Sequence, residues 1–125
     1  MADMQAADKM GKLPVALCPL ADIADGCSRG FDPTNVGHDT MFVVRRGQEI
    51  YGYRNSCPHI DGAKMAWKRN EYLDGSETRI VCAAHGALFR IEDGLCEVGP
   101  CVGQKLTAVR TLILNGELLL IDTAA

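Results

Sequence analysis

The apolar residues of this chain come in short runs, each closed within a few positions by Gly, Asp, Asn or Pro, and that spacing leaves little room for helices. Met41–Arg45 and Glu49–Tyr53 flank Arg46-Gly47-Gln48 and read as a hairpin. Thr78–Cys82 and Ala87–Ile91 read as two further short strands around a turn that contains His85. Lys105–Leu114 and Glu117–Asp122 flank Asn115-Gly116, a favoured pair for a type I′ turn because both residues tolerate positive φ. The helical signal is thin: Ala63–Asn70 has room for a turn or a short helix, but its apolar spacing is irregular. Many short strands with frequent turns predict an all-β fold, an antiparallel sandwich or barrel.

A length of 125 residues argues for one domain, and no internal repeat or linker divides it. Residues 1–12 carry no strand pattern and are expected to form a mobile tail ahead of a single domain over 13–125. With 47% hydrophobic and 23% charged residues, the composition excludes a disordered chain. A net charge of −3 provides no basic footprint for nucleic acid or anionic lipid; a mildly acidic surface suits a partner with a basic patch. The start, MADMQAADKMGK, lacks an unbroken apolar stretch, and no run approaches the ~20 apolar residues of a membrane span. The expectation is a cytoplasmic protein with no membrane partner. In a reducing compartment, six cysteines read as metal ligands before they read as a disulfide framework.

Two segments carry the chemistry. Cys57-Pro58-His59 follows Asn55-Ser56, and Cys82-Ala83-Ala84-His85-Gly86 begins after 22 intervening residues. Each offers one thiolate and one imidazole. Pro58 stiffens the first loop, and Gly86 allows close backbone approach after the second histidine. Two Cys and two His are also a zinc set, but zinc sites usually group the two Cys together and the two His together, two to five residues apart. Here Cys and His alternate, and one residue separates the first pair.

The pair Cys57-Pro58-His59 and Cys82-Ala83-Ala84-His85-Gly86 resembles the C-x-H and C-x-x-H-G motifs of Rieske proteins. His85-Gly86-Ala87-Leu88-Phe89 and Gly99-Pro100 resemble that family's second cluster loop and its covering proline loop, and the likeness extends over roughly Val15 to Ile121. The resemblance implies an all-β Rieske-type fold with a small cluster-binding part at about 55–102, holding one [2Fe–2S] cluster. Cys57 and Cys82 would bind one iron, and His59 and His85 the other. Neutral imidazoles in place of two thiolates make such a cluster less negative and raise its potential. The spacer between the motifs is longer than usual, and its Trp67–Ser76 stretch is expected to be a surface excursion.

The neighbours of the ligands narrow the type. Large Rieske oxygenases add an iron site of two His and a carboxylate; after His59 and His85 only His38 remains, and 125 residues leave no space for the extra domain. Respiratory Rieske proteins carry an additional Cys in each loop, where this chain has Gly62 and Ala84. They also carry a Ser and a Tyr whose hydroxyls bond the cluster and a ligating sulfur, where this chain has Ala87 and Phe89. Hydroxyl donors stabilise the reduced cluster, so their absence implies a low potential. The resemblance therefore implies a low-potential Rieske ferredoxin, an electron carrier and not itself an enzyme. Its donor would be a flavoprotein or other reductase, and its acceptor an oxygenase or another redox enzyme. A small subunit like that of assimilatory nitrite reductase, or a redox or iron sensor, are the competing readings. Ile60, Leu88 and Pro100 would surround the exit at the imidazole edges. Of the other cysteines, Cys18 is expected to be a buried small hydrophobe and Cys27 a loop thiol; Cys96 and Cys101 are expected to be reduced, with a reversible disulfide between them left open. His38 is expected in a solvated loop, and Trp67 and the tyrosines in packing roles.

Overall fold

A computed structural model describes residues 14–58, 65, 70–76, 78–82 and 86–122. The tail expected over 1–12, His59, Ile60, Gly62, Ala84, His85 and the Ala63–Asn70 segment other than Met65 and Asn70 lie outside the described residues. The described residues contain nine strands: β1 (Val15–Pro19), β2 (Ser28–Phe31), β3 (Met41–Arg46), β4 (Glu49–Arg54), β5 (Arg79–Cys82), β6 (Ala87–Arg90), β7 (Cys96–Val98), β8 (Ala108–Leu114) and β9 (Glu117–Asp122). They form a six-stranded sheet ordered β1-β9-β8-β4-β3-β2 and a three-stranded sheet ordered β5-β6-β7. Every pairing is antiparallel. The helical content described is a single 3-10 turn at Leu20–Asp22, so the all-β expectation holds.

Local chemistry fixes the hairpins. Asn115 and Gly116 adopt φ of 52° and 78°, the positive values a type I′ turn needs, and they set Leu114 opposite Glu117. Gly47, at φ 62°, turns β3 into β4 with Arg46 opposite Glu49. β8 begins at Ala108, three residues later than the sequence suggests. The cause is Leu106: its N–H bonds the Gly94 carbonyl and its side chain enters the core beneath the small sheet, which draws 105–106 away from the larger one, while the Thr107 carbonyl still accepts the Arg54 N–H of β4. β2 and β7 carry no alternating pattern, and nothing in their own sequence marks them as strands.

β3 is the shared wall of the molecule. Met41, Phe42, Val43 and Val44 are all buried, which a strand with one solvated face would not allow. Successive side chains point to opposite faces. Met41 and Val43 join Cys18, Ile23, Phe31, Val109, Leu118 and Leu120 in a core to which both edge strands contribute, so the six-stranded sheet curls around it. Phe42 and Val44 face the other way, into a core with Tyr53, Ile80, Phe89, Ile91, Leu106 and four cysteines. The small sheet thus packs on the outer face of β3 and β4.

One expectation is corrected. The described part of the Trp67–Ser76 stretch is not a surface excursion: Tyr72 is 2% exposed and stacks on Phe42 with ring centroids 4.1 Å apart and planes 5° apart. Leu73 bridges Ile80, and the Val81 N–H bonds the Tyr72 carbonyl, so the segment lies along the edge of β5. Asn70, at φ 69°, accepts the Gly30 N–H through its side chain at 2.8 Å and ties the same segment to β2. A Cβ at position 30 would stand 2.8 Å from the Tyr72 hydroxyl, which is why β2 has a glycine there.

Candidate metal centre

The two cluster-motif cysteines sit at strand ends. Cys82 is the last residue of β5, and Cys57 follows the end of β4 by three residues. Both are 0% exposed and belong to the same core. Burying two anionic thiolates in apolar surroundings is costly without a cation. Coordination by iron, a metal that takes thiolate and imidazole ligands, meets that requirement. Among the described residues no group of three or more His, Cys, Asp or Glu side chains is arranged to hold a metal. The described half of the expected ligand set is therefore the thiol pair, while His59 and His85 lie two and three residues beyond Cys57 and Cys82 in sequence, outside the described residues.

The first loop is tied at its base by Asn55. Its amide donates to the Asp39 carbonyl at 2.9 Å, and its carbonyl oxygen accepts the Met65 N–H at 2.7 Å. The buried Met65 is thereby held against the strand end that leads into Cys57. Sequence reasoning missed this clamp; the only signal was an Asn two residues before a candidate ligand. On the second side the Gly86 N–H reaches back to the Cys82 carbonyl at 2.7 Å. Cys82 pairs with Ala87 across the β5–β6 register, and Phe89 pairs with Ile80. Ala87 and Phe89 are both fully buried and present no hydroxyl to the thiols.

A third segment covers this end. β7 leads into Gly99-Pro100-Cys101-Val102-Gly103, and Gly99, at φ 109°, comes so close to β6 that a Cβ there would stand 2.8 Å from the Ala87 Cα. Only glycine permits that approach. Val98 and Val102 are 51% and 61% exposed on this segment, while Cys96 and Cys101 are buried beneath it. Burial pushes the Cys101 thiol up to about 12, assisted by its hydrogen bond with Cys96 and by the nearby Cys96, Cys57 and Cys82. Of the other expectations, Cys18 is buried, Cys27 and His38 are exposed, and Tyr53 and Tyr72 pack in the core, while Trp67 lies outside the described residues.

Comparison with known proteins agrees with this arrangement. The Rieske [2Fe–2S] domain family matches residues 14–114. The ferredoxin of carbazole 1,9a-dioxygenase from Nocardioides aromaticivorans IC177 superposes with a TM-score of 0.68 at 25% identity, covering 88% of this chain and 98% of that one. The Sphingomonas yanoikuyae B1 ferredoxin gives a TM-score of 0.64 at 22% identity over 89% of this chain and 99% of its own. A chain in the complex of reduced oxygenase and oxidised ferredoxin of carbazole 1,9a-dioxygenase gives 0.69 at 21% identity, over 90% of this chain and 95% of that one. No curated protein sequence matches. Since the family match runs from the residue before β1 to the end of β8, through both sheets and both cysteine-bearing strand ends, this chain belongs to the Rieske [2Fe–2S] domain family and carries one such cluster as an electron carrier.

Proposed function

We propose that this chain is a low-potential Rieske ferredoxin that takes one electron from a flavoprotein or similar reductase and passes it to an oxygenase. In it Cys57 and Cys82 hold one iron, and His59 and His85 the other. The observation that carries the reading is the convergence of Cys57 and Cys82, from two different strand ends, in one fully buried core. The likeness to a whole ferredoxin of a carbazole dioxygenase, over 98% of that chain, supports the oxygenase as acceptor. No helix among the described residues is long and apolar enough to cross a membrane; the cytoplasm remains the compartment proposed.

When bound, the cluster supplies a single reversible electron at an iron pair. The protein's share is to position and to insulate. Asn55 and the Gly86 turn hold the two thiol-bearing strand ends, and Ala87, Phe89 and Gly99 close the space around them with apolar groups. A dry, donor-poor wall disfavours the more negative reduced state. The potential is therefore expected at the low end of the Rieske range, about −150 mV. Val98, Pro100 and Val102, with the half-buried Pro58 and Leu88, make an apolar rim suited to brief docking of a redox partner.

The test is spectroscopy and voltammetry of the purified protein. A Rieske-type EPR signal from two irons after dithionite reduction, with a midpoint near −150 mV, is the expected result. A colourless zinc protein ends the reading, and a midpoint well above zero ends the low-potential assignment. Reductase-coupled electron delivery to a purified oxygenase tests the acceptor. The double change Ala87→Ser with Phe89→Tyr should raise the midpoint, since each adds a hydroxyl donor beside the thiol-bearing strand.

A further inference from the structure

Cys96 and Cys101 have no part in the proposed ligand set, yet they touch. Their Sγ atoms are 3.0 Å apart, about 1 Å beyond a disulfide bond. The Cys101 thiol donates to Cys96, and the Cys96 thiol donates to the Val98 carbonyl at 3.3 Å. The backbone holds them in this contact. The Cys96 N–H bonds the Gln104 carbonyl, the Gly103 N–H bonds the Cys96 carbonyl, and the Gln104 N–H bonds the Cys101 carbonyl. Both thiols are no more than 1% exposed, while every residue from Glu97 to Pro100 and from Val102 to Lys105 is exposed. The cover is thus one short turn with positive-φ glycines at 99 and 103, and opening it uncovers both sulfurs together. A pair of cysteines filling apolar space has no need to meet sulfur to sulfur; this pair does, with no change of register required to bridge it.

We propose that Cys96 and Cys101 are a second redox site of this chain, a dithiol that hydrogen peroxide converts to a disulfide. In the first step peroxide transfers one oxygen to one sulfur, its O–O bond breaks, and a sulfenic acid and one water form. In the second step the other sulfur attacks the sulfenic sulfur, the S–O bond breaks, and a second water leaves. Two thiols lose two electrons and two protons, and one peroxide becomes two waters. A thiol reductant reverses the bridge. The same turn lies on Ala87, the register partner of Cys82, through Gly99. Bridging braces that contact against the strand that carries Cys82, so it shifts the potential of the cluster. The bridge itself is independent of the ligand assignment; the shift rests on it.

The test uses the cluster-loaded protein, treated with hydrogen peroxide, then alkylated after denaturation and digested with trypsin. Cleavage after Arg90 and Lys105 releases one peptide, Ile91–Lys105, whose two cysteines are Cys96 and Cys101. The expected result is that this peptide loses both alkylation sites and two hydrogen atoms of mass, and regains both sites after dithiothreitol. Voltammetry of the bridged and reduced forms should differ, and the difference should vanish in Cys101→Ser, or in Cys96→Ala where that variant loads its cluster better. A peptide that stays doubly alkylated, or that gains oxygen atoms without bridging, overturns the proposal. Equal potentials for the bridged and reduced forms overturn the coupling, while the ligand assignment is judged separately on the EPR signal.

Discussion

The core curled inside the six-stranded sheet is lined by Ile23, Phe31, Met41, Val43, Leu118 and Leu120, with Cys18 as its one cysteine. The core between β3–β4 and the small sheet holds Cys57, Cys82, Cys96 and Cys101 among its aromatics. The strands differ as much as the side chains. β3, β4, β8 and β9 run six or seven residues, whereas β5 and β6 run four and β7 three. Short strands form few ladder bonds, and cysteines bury less apolar surface than leucines. The first region can hold itself together by burial. The second relies on being packed against the first; on the proposed ligand assignment it also relies on the iron, because a metal that links two strand ends would contribute its binding energy to the fold.

Removing the cofactor breaks the comparison most sharply. Cys82→Ala should abolish iron binding and the visible spectrum altogether. Amide exchange should then rise in β5, β6 and β7, while β3, β8 and β9 keep their protection. Uniform loss of protection in both sheets would show a single cooperative unit instead of two regions.

A smaller effect is expected from the opposite side. Leu118 is 0% exposed in the core that holds no expected ligand, so Leu118→Ala should cost about 2–5 kcal/mol in denaturant unfolding. The midpoint potential of the folded fraction should not move. A shifted potential would mean that strain passes through β3 from one core to the other.

The smallest effect concerns the tie between them. The Tyr53 hydroxyl, on β4, donates to the Ile91 carbonyl just past β6, and burial holds that phenol well above its usual range. Tyr53→Phe should cost about 1–3 kcal/mol, since it leaves a buried carbonyl without its partner. The loss should appear first as faster exchange around 88–96 and only second in β3. The reverse order would place the tie in the base and not in the small sheet.

Much of this molecule was legible in one dimension. Turn chemistry is local, so Arg46-Gly47-Gln48 and Asn115-Gly116 could be read as hairpins, and β9 falls on the predicted residues. The Cys/His motifs are local too, because each segment carries its Cys and His within a few positions. β2 and β7 were not legible, since Ser28–Phe31 and Cys96–Val98 have no pattern of their own and become strands only by pairing with β3 and β6. The Trp67–Ser76 stretch, expected as a surface excursion, was misread for a related reason. Nothing nearby in sequence says that a polar, charged stretch will lay one aromatic ring on Phe42, thirty residues earlier.

What the sequence by itself determined is the all-β class and the Cys/His constellation, both products of residue type and short spacing. Tertiary structure alone decided which cysteines share a core, which of them touch, and which side of β3 faces the core with four cysteines. Those are contacts between segments far apart in the chain. They are settled by which apolar faces can be buried together, and periodicity within any one segment does not contain that information.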